Sequence, residues 1–205
     1  MNMGKFIAKH LSAPKGIRGR VVSYVMNRKN RPIYEKTLKF LDFKDGEKVL
    51  DIGCGNGYVL NLLANRNTGT FSGIDISESI IKAANIKNKS FVSEGIMQFD
   101  CQNIVKMSFE NGSFDKAYTI NTVYFWDNVD DAMDEIRRVL KPDGVFVNTV
   151  LSNETLDGFT FSKYGYNRYS QEQLTQMGEK AGFGVEVIPL FKGFAYCYKY
   201  QKKQD

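Results

Sequence analysis

Histidine and cysteine, on which many catalytic and metal sites depend, are scarce in this 205-residue sequence. A hydrolase triad or a histidine-ligated metal would have to use the single histidine, His10, and we expect neither. The cysteines are Cys54, Cys101 and Cys197, an odd number with no close pair, so the sequence predicts neither a disulfide framework nor a zinc site. We therefore expect no metal, and the cysteine usage favours a reducing cytoplasm.

Long apolar runs are also absent. No stretch approaches the roughly 18 apolar residues of a transmembrane helix, and the N-terminal residues MNMGKFIAKH lack the apolar core of a signal peptide. Apolar residues make up 42% and charged residues 25%, which excludes collagen-like, coiled-coil and wholly disordered chains. The net charge of +5 permits anionic partners but does not require nucleic acid. We expect a cytoplasmic protein without a membrane partner, and the sequence leaves its oligomeric state open.

Apolar runs alternate with helical patterns through most of the chain. Residues 129–140 place apolar side chains at helical spacing, and the LKPDG that ends this pattern has turn chemistry, in which Gly144 can take a positive φ. Strands separated by helices predict a parallel sheet. The apolar runs predict five such strands, at residues 47–52, 71–76, 96–100, 114–120 and 145–151.

The C-terminal part has a different pattern. Ser170 and Gln173 form a capping-box signal for a helix that ends near Gly182. Strands predicted at 183–189 and 194–200 are joined by a link too short for a parallel crossover, so we expect them to be antiparallel. The predicted fold class is therefore α/β: a doubly wound, Rossmann-like, mostly parallel seven-stranded sheet with an antiparallel C-terminal strand pair.

Polar residues stand where four of the predicted strands end. Asp51, Asp75, Asp100 and Asn121 are separated by 24, 25 and 21 residues, about one strand-helix unit each. In open α/β sheets ligands bind at the carboxyl ends of the strands. Any one of these residues alone is better explained as a cap of the following turn. Four of them at successive strand ends predict a binding site.

The glycine-rich turn DIGCGNG indicates the class of cofactor. Its glycines, Gly53, Gly55 and Gly57, let the backbone approach a ligand closely. Tyr58 occupies the position where a dinucleotide fingerprint requires glycine. A carboxylate two residues before the first glycine suits an ammonium group better than a pyrophosphate, and Asp75 suits the hydroxyls of a ribose. S-adenosylmethionine fits these requirements, and NAD fits them poorly.

Successive motifs resemble those of class I S-adenosylmethionine-dependent methyltransferases. They are VLDIGCGNGYVL, GIDIS, the segment from Phe99 through ENGSFDKAYTINTVYFW, and DEIRRVLKPDG. The likeness is greatest to the methyltransferase type 11 subgroup, which includes ubiquinone and menaquinone biosynthesis enzymes, and it covers about residues 45–200. It implies S-adenosyl-L-methionine as the cofactor and methyl transfer as the activity.

The resemblance also implies how individual residues bind the methionine part of the cofactor. Asp51 and the backbone of Gly53, Cys54 and Gly55 would hold it, and Asn121 would contribute at the same end.

Other matching residues would bind the nucleoside part. Asp75 would accept from the ribose hydroxyls, and Ile76 would pack on the adenine. Asp100 would face the adenine amino group, and the backbone N–H of Cys101 would meet the ring. Many family members have Gly-Asp-Ala at this third strand end, whereas this chain has Asp100 between Phe99 and Cys101, which departs from the pattern.

The chain ahead of the first strand predicts one helix. Asn30 can cap this helix, which extends to Leu41. Its apolar face consists of Ile33, Thr37, Leu38 and Leu41.

Residues 14–43 resemble the lead-in of some family members, which lies over the cofactor pocket. We expect residues 1–44 to form a helical lead-in, or lid, and residues 45–205 to form the methyltransferase domain. Gly16 and Gly19 would give the lid loose joints, so that it orders when the cofactor binds.

Two groups of aromatic residues are candidates for the methyl-acceptor pocket. Tyr124, Phe125 and Trp126 follow the fourth strand, and five more aromatic residues lie between positions 159 and 169. These rings either cover the edge of the sheet or enclose a small apolar, aromatic or cationic acceptor. The catalytic residue stays unknown, with Tyr124, Asp127 and His10 as candidate bases.

The favoured function is methyl transfer to a small-molecule acceptor. An RNA or protein methyltransferase would use the basic N-terminal segment and the aromatic residues for stacking, but INTVYFW lacks the Asn-Pro-Pro-Tyr type of motif used for methylation of base amino groups. The third hypothesis is a non-catalytic S-adenosylmethionine-binding protein with the same fold.

Overall fold

The computed structural model describes residues 16–163 and 165–203, and for residues 16–26 and 161 it describes the backbone alone. These residues form a seven-stranded sheet with the strand order β3-β2-β1-β4-β5-β7-β6. The strands are β1 (Lys48–Ile52), β2 (Thr70–Asp75), β3 (Met97–Cys101), β4 (Phe114–Ile120), β5 (Leu140–Leu151), β6 (Phe183–Leu190) and β7 (Ala195–Lys202). The helices are α1 (Gly16–Leu41), α2 (Tyr58–Ala64), α3 (Glu78–Lys87), α4 (Lys89–Ser93), α5 (Val129–Val139), α6 (Asn153–Asp157) and α7 (Gln171–Lys180).

The five strands predicted from apolar runs all form, and they pair in parallel as expected. The first four lie within one residue of their predicted bounds. Strand β5 begins earlier than predicted because Leu140 already pairs with Phe114, ahead of the turn that precedes the rest of the strand.

That turn takes its positive φ at a residue other than the predicted one. The left-handed residue is Asp143, with a φ of 59°, and not Gly144. Aspartate tolerates this conformation better than most residues. Gly144 is needed for space instead, since a Cβ there would lie 2.9 Å from the carbonyl oxygen of Lys141.

The antiparallel C-terminal pair is confirmed. Strand β7 pairs antiparallel with both β5 and β6. The capping box also forms: the Gln173 N–H donates to Ser170 Oγ at 3.1 Å, and the Ser170 N–H donates to Gln173 Oε1 at 2.8 Å. The sheet is therefore the mixed, Rossmann-like sheet that the sequence predicts.

Helix α1 begins at Gly16 and not near Asn30, so the predicted start is wrong. The Asn30 and Pro32 pair has the composition of a helix start, but Pro32 lies inside the helix. Its missing N–H removes a single backbone hydrogen bond, which a long helix packed on the sheet can tolerate. The predicted face is correct, since Ile33, Thr37, Leu38 and Leu41 are all buried. Residues 1–15 of the expected lead-in lie outside the described residues.

The helices cover both faces of the sheet. On one face α5 and α7 bury Met133 and Leu174 against the sheet, in a cluster that includes Phe146 and Tyr200. On the other face α1, α2 and α3 bury residues such as Leu38 against β1 and β5. Because β1 to β5 are parallel, their carboxyl ends meet at one edge between these two layers. None of the described helices has the length and apolar character that crossing a bilayer requires.

Gly178, on the buried side of α7, generates a prediction about stability. A Cβ at this position would lie 2.3 Å from Cε1 of Tyr200, which is fully buried with its ring 5.3 Å from that of Phe146. Alanine favours a helix over glycine by about 1 kcal/mol, but overpacking a rigid core costs about 1–3 kcal/mol. We therefore expect Gly178→Ala to lower the free energy of unfolding, measured by urea denaturation.

The matched control is Gly184→Ala in β6, where the nearest atom to an added Cβ is 3.7 Å away. This substitution should leave the free energy of unfolding unchanged or slightly higher. If Gly178→Ala were as stable as the wild type, the close packing of α7 on Tyr200 would be wrong.

Candidate active site

The turn between β1 and α2 is fixed to the end of β2 by backbone hydrogen bonds. The N–H groups of Gly53 and Cys54 both donate to the carbonyl oxygen of Ile74, at 2.8 and 2.9 Å. Gly53 has a φ of 73°, and a Cβ there would lie 2.5 Å from Cγ2 of Thr122. The glycine is therefore required both by its backbone conformation and by the close approach of the residues after β4.

A cleft of about 390 Å³ opens beside this turn, at the carboxyl edge of the sheet. Its walls come from α1, the glycine-rich turn and the segments that follow β2, β3 and β4. The structure brings seven of the nine predicted cofactor-binding residues to this cleft. They are Asp51, Gly53, Cys54, Gly55, Asp75, Ile76 and Asn121.

The other two, Asp100 and Cys101, are not among the described residues that line the cleft. Both are still paired within the sheet, Asp100 opposite Ile74 and Cys101 opposite Asp75, so β3 reaches beyond the expected strand end. The chain meets the cleft at Gln102 and the residues that follow it. The departure from Gly-Asp-Ala at this strand end was the available sequence signal for this shift.

Asp51 is buried at the base of the cleft. Its side chain is 4% exposed, and Oδ2 accepts a hydrogen bond from the hydroxyl of Tyr118 at 2.7 Å. Burial raises the pKa of this carboxyl to about 7, and the nearby Asp75 adds to the increase, while the Tyr118 hydrogen bond opposes it. Asp51 therefore gains or loses its proton near neutral pH, and a cation in the cleft would favour its charged form.

Asp75 is held by two backbone groups. Its Oδ1 accepts from the N–H of Ser77 at 3.0 Å, and its Oδ2 accepts from the N–H of Gly55 at 3.3 Å. Burial raises the pKa of this carboxyl, and the backbone hydrogen bonds oppose the increase. The side chain thus caps the turn after β2 and also faces the cleft. A structural role as a cap and a role in the binding site are therefore compatible at this position.

Helix α1 forms one wall of the cleft; the resemblance places this segment over the cofactor pocket but assigns none of its side chains to the cofactor. Asn27, Asn30 and Tyr34 line the cleft. The Asn27 Nδ2 group donates to Asn56 Oδ1 at 3.3 Å, and the Tyr34 hydroxyl donates to Asn27 Oδ1 at 3.3 Å. These contacts join α1 to the glycine-rich turn. The asparagines have no motif of their own, and only the packing of α1 on the sheet brings them here.

The aromatic residues after β4 have different positions. Phe125 and Trp126 line the cleft, whereas Tyr124 is buried behind them. Of the residues between 159 and 169, none of the described side chains lines the cleft; Tyr166 instead packs on Phe125, with ring centroids 4.7 Å apart. The side chain of Phe161 and all of Tyr164 lie outside the described residues.

The three candidate bases differ in their position relative to the cleft. Burial raises the pKa of Tyr124 far above its ordinary value, and its hydroxyl accepts a hydrogen bond from the N–H of Leu151 at 2.6 Å, so it is a poor base. Asp127 lines the cleft near its rim, and His10 lies outside the described residues.

The described side chains that line the cleft include four carboxylates and no lysine, arginine or histidine. The carboxylates are Asp51, Asp75, Asp127 and Asp131. This charge favours ligands that are cationic or neutral. Among the residues described, no group of three histidine, cysteine, aspartate or glutamate side chains is arranged to hold a metal ion.

Residues 50–148, which include β1, the glycine-rich turn and most of the cleft, match the family model described as a methyltransferase domain. This part of the chain is a methyltransferase domain. The chain is 32% identical over 114 residues to 24-methylenesterol C-methyltransferase 2 of Arabidopsis thaliana, covering 56% of this chain and 32% of that protein. The chain spans about a third of the length of the first curated relatives it matches.

Solved structures share the fold of the methyltransferase domain. One is the [4+2]-cyclase SpnF, with a TM-score of 0.75 and 16% identity over 85% of this chain and 82% of that one. Another is geranyl diphosphate C-methyltransferase from Streptomyces coelicolor A3(2), in complex with Mg²⁺, geranyl-S-thiolodiphosphate and S-adenosyl-L-homocysteine. Its TM-score is 0.73, with 13% identity over 85% of this chain and 77% of that one. At these identities the likeness establishes the fold alone.

The buried Asp51 generates a prediction about pH. Its pKa is higher in the folded chain, at about 7, than the value of about 4 expected in the unfolded chain. Its contribution to stability is therefore complete below about pH 4 and is lost as the pH rises through 7. In Asp51→Asn, which keeps an oxygen for the Tyr118 hydroxyl, this loss is absent. As the pH rises from 4.5 to 8, the free energy of unfolding of the variant should therefore increase relative to that of the wild type, by about a few kcal/mol.

Asp115→Asn is the control, measured by the same denaturation series. The pKa of Asp115 is lowered, with Lys141 and the backbone N–H of Lys48 as hydrogen-bond partners. Its contribution is therefore constant between about pH 5 and 8. Equal pH dependence of the wild type and Asp51→Asn would show that Asp51 is ionised throughout.

Proposed function

We propose that this protein transfers the methyl group of S-adenosyl-L-methionine to a small apolar or aromatic acceptor. The observation that carries the proposal is the pair of carboxylates, Asp51 and Asp75, at adjacent strand ends on either side of the glycine-rich turn of a methyltransferase domain. One carboxylate suits the ammonium group of the cofactor, and the other suits its ribose hydroxyls.

The described residues fit the cofactor in three respects. The cleft volume of about 390 Å³ is within the range of small-molecule sites. Ile76 is 71% exposed at the wall of the cleft and offers an apolar surface for an adenine ring. The carboxylates in the described lining would repel a diphosphate, which argues against NAD. When bound, S-adenosylmethionine supplies a methyl group on a sulfonium, which is a good leaving group.

The chain's own contribution is to hold the acceptor in line with that methyl group. Alignment of this kind accounts for up to about 7–11 kcal/mol in well-oriented reactions. Phe125 and Trp126 give the cleft an apolar wall, which supports an apolar or aromatic acceptor. The name of a relative that acts on a sterol supports the same class. We assign no catalytic base.

Ligand-induced stabilisation tests the cofactor. S-adenosylmethionine and S-adenosylhomocysteine should raise the melting temperature, with a gain of about 2.7 kcal/mol at a hundredfold excess over Kd, whereas NAD should not. Labelled S-adenosylmethionine, incubated with the protein and cell extract, should then place label in the small-molecule fraction. Label in RNA or protein would contradict the acceptor class. Binding without transfer to any fraction would indicate a non-catalytic protein.

Asp75→Ala should weaken S-adenosylhomocysteine binding by about ten- to several-hundredfold. A carboxylate that accepts from two hydroxyls makes hydrogen bonds of roughly 1.5–3 kcal/mol each. Isothermal titration measures the affinity, and melting curves measure the stability lost with the Ser77 and Gly55 hydrogen bonds. The control is Asp45→Ala, which also removes a carboxylate that accepts from a backbone N–H, that of Thr68 at 2.6 Å, but at a residue that does not line the cleft; its affinity should stay within about threefold of the wild type. Equal effects of the two substitutions would remove Asp75 from the site.

A further inference from the structure

The end of β4 leaves a backbone donor of β5 without a strand partner. The last register pair between these strands is Ile120 with Thr149, so the N–H of Leu151, two residues further along β5, has no β4 carbonyl to meet. Two side chains from the segment after β4 accept from it instead. They are Tyr124, whose hydroxyl oxygen is 2.6 Å away, and Asn121, whose Oδ1 is 3.2 Å away.

These contacts determine which way the Asn121 carboxamide points. Its Oδ1 accepts from Leu151 and is also 3.3 Å from the Tyr124 hydroxyl, which can donate either to it or to the Leu151 carbonyl oxygen. Both of these neighbours can donate to an oxygen, so the amide nitrogen must be the other end of the group. No described residue accepts a hydrogen bond from this nitrogen, and Asn121 lines the cleft. The backbone of Asn121 is held in the left-handed region, with a φ of 58°.

Asn121 lies beside the part of the cleft that would receive the amino-acid end of the cofactor. Tyr118, three residues earlier, is paired with Asp51, and Thr122 packs against Gly53. The carboxylate of an α-amino acid is attached to the same carbon as its ammonium group. If Asp51 meets the ammonium group, the carboxylate must lie close by. An amide N–H can donate to that carboxylate, and the Asn121 carboxamide lines the cleft.

We propose that Tyr124 is a positioning residue that orients Asn121, so that the Asn121 side-chain amide donates to the carboxylate of the bound cofactor. The proposal rests on the proposed function. It deepens that function by assigning the group that recognises the amino-acid end. The competing explanation is structural: Asn121 and Tyr124 would serve only to cap the N–H of Leu151.

Asn121→Asp separates the two explanations. The substitution keeps an oxygen for Leu151 and Tyr124, so a purely structural cap is preserved, but it replaces the amide donor with a second oxygen. Two probes are titrated: S-adenosylhomocysteine, and 5′-methylthioadenosine, which has the same nucleoside but no amino-acid group. We expect affinity for S-adenosylhomocysteine to fall by about tenfold or more, since a hydrogen bond to a charged group is lost and like charges meet. Affinity for 5′-methylthioadenosine should stay within about twofold.

Tyr124→Phe tests the positioning role, because it keeps the ring packed on Tyr166 and removes only the hydroxyl. S-adenosylhomocysteine binding should weaken by about threefold, since the carboxamide can then rotate, and 5′-methylthioadenosine binding should not change. The matched control is Tyr200→Phe. That hydroxyl is also buried and donates to the carbonyl oxygen of Leu174 at 3.2 Å, far from the cleft. The control should lower the melting temperature without changing either affinity.

Unchanged S-adenosylhomocysteine affinity in Asn121→Asp would overturn the proposal and leave Asn121 as a cap of β5. Equal weakening of both probes in Asn121→Asp or in Tyr124→Phe would overturn it too, because a general loss of cleft shape would then explain the result. Failure of the proposed function has a different signature, in which the wild type binds neither probe.

Discussion

The carbonyl oxygen of Ile74 accepts hydrogen bonds from two consecutive N–H groups, those of Gly53 and Cys54, and the geometry of the cleft depends on this contact. It fixes the glycine-rich turn to the end of β2. The carboxylates of Asp51 and Asp75 therefore lie on either side of one small volume. Position 53 must be glycine for this turn to form. Its backbone is in the left-handed conformation, and Thr122 occupies the space that a side chain there would need.

The electrostatics of the cleft follow from the same arrangement. Asp51 is withdrawn from water and is near a second carboxylate, so its ionised form is disfavoured until a positive charge arrives. The described lining carries acidic groups without basic ones. A ligand with an ammonium and a sulfonium group relieves this repulsion, whereas a diphosphate adds to it. The charge of the lining thus supports the same choice of cofactor as the spacing of the glycines.

Much of the fold was predictable because its signals are local. Apolar runs predict the parallel strands, and the short link between β6 and β7 predicts their antiparallel pairing. The capping box at Ser170 depends on residues three positions apart. The start of α1 was not predictable in this way, because Asn30 and Pro32 have the composition of a helix start although the helix continues on both sides of them. The left-handed residue Asp143, in place of Gly144, is a similar case.

The sequence by itself determined the class of domain and the positions of Asp51, Asp75 and Asn121 at strand ends, because a parallel sheet gathers its carboxyl ends at one edge. Only the tertiary structure decided which strand-end residues reach the cleft. Asp100 does not, since the chain after β3 meets the cleft at Gln102 and the residues that follow it. Asn27, Asn30 and Tyr34 do, because α1 packs across the sheet. The orientation of Asn121 depends on the N–H of Leu151, thirty positions away, which lies beyond the last register pair with β4. Strand length, helix placement and unpaired backbone groups arise from contacts between distant segments, which no local pattern encodes.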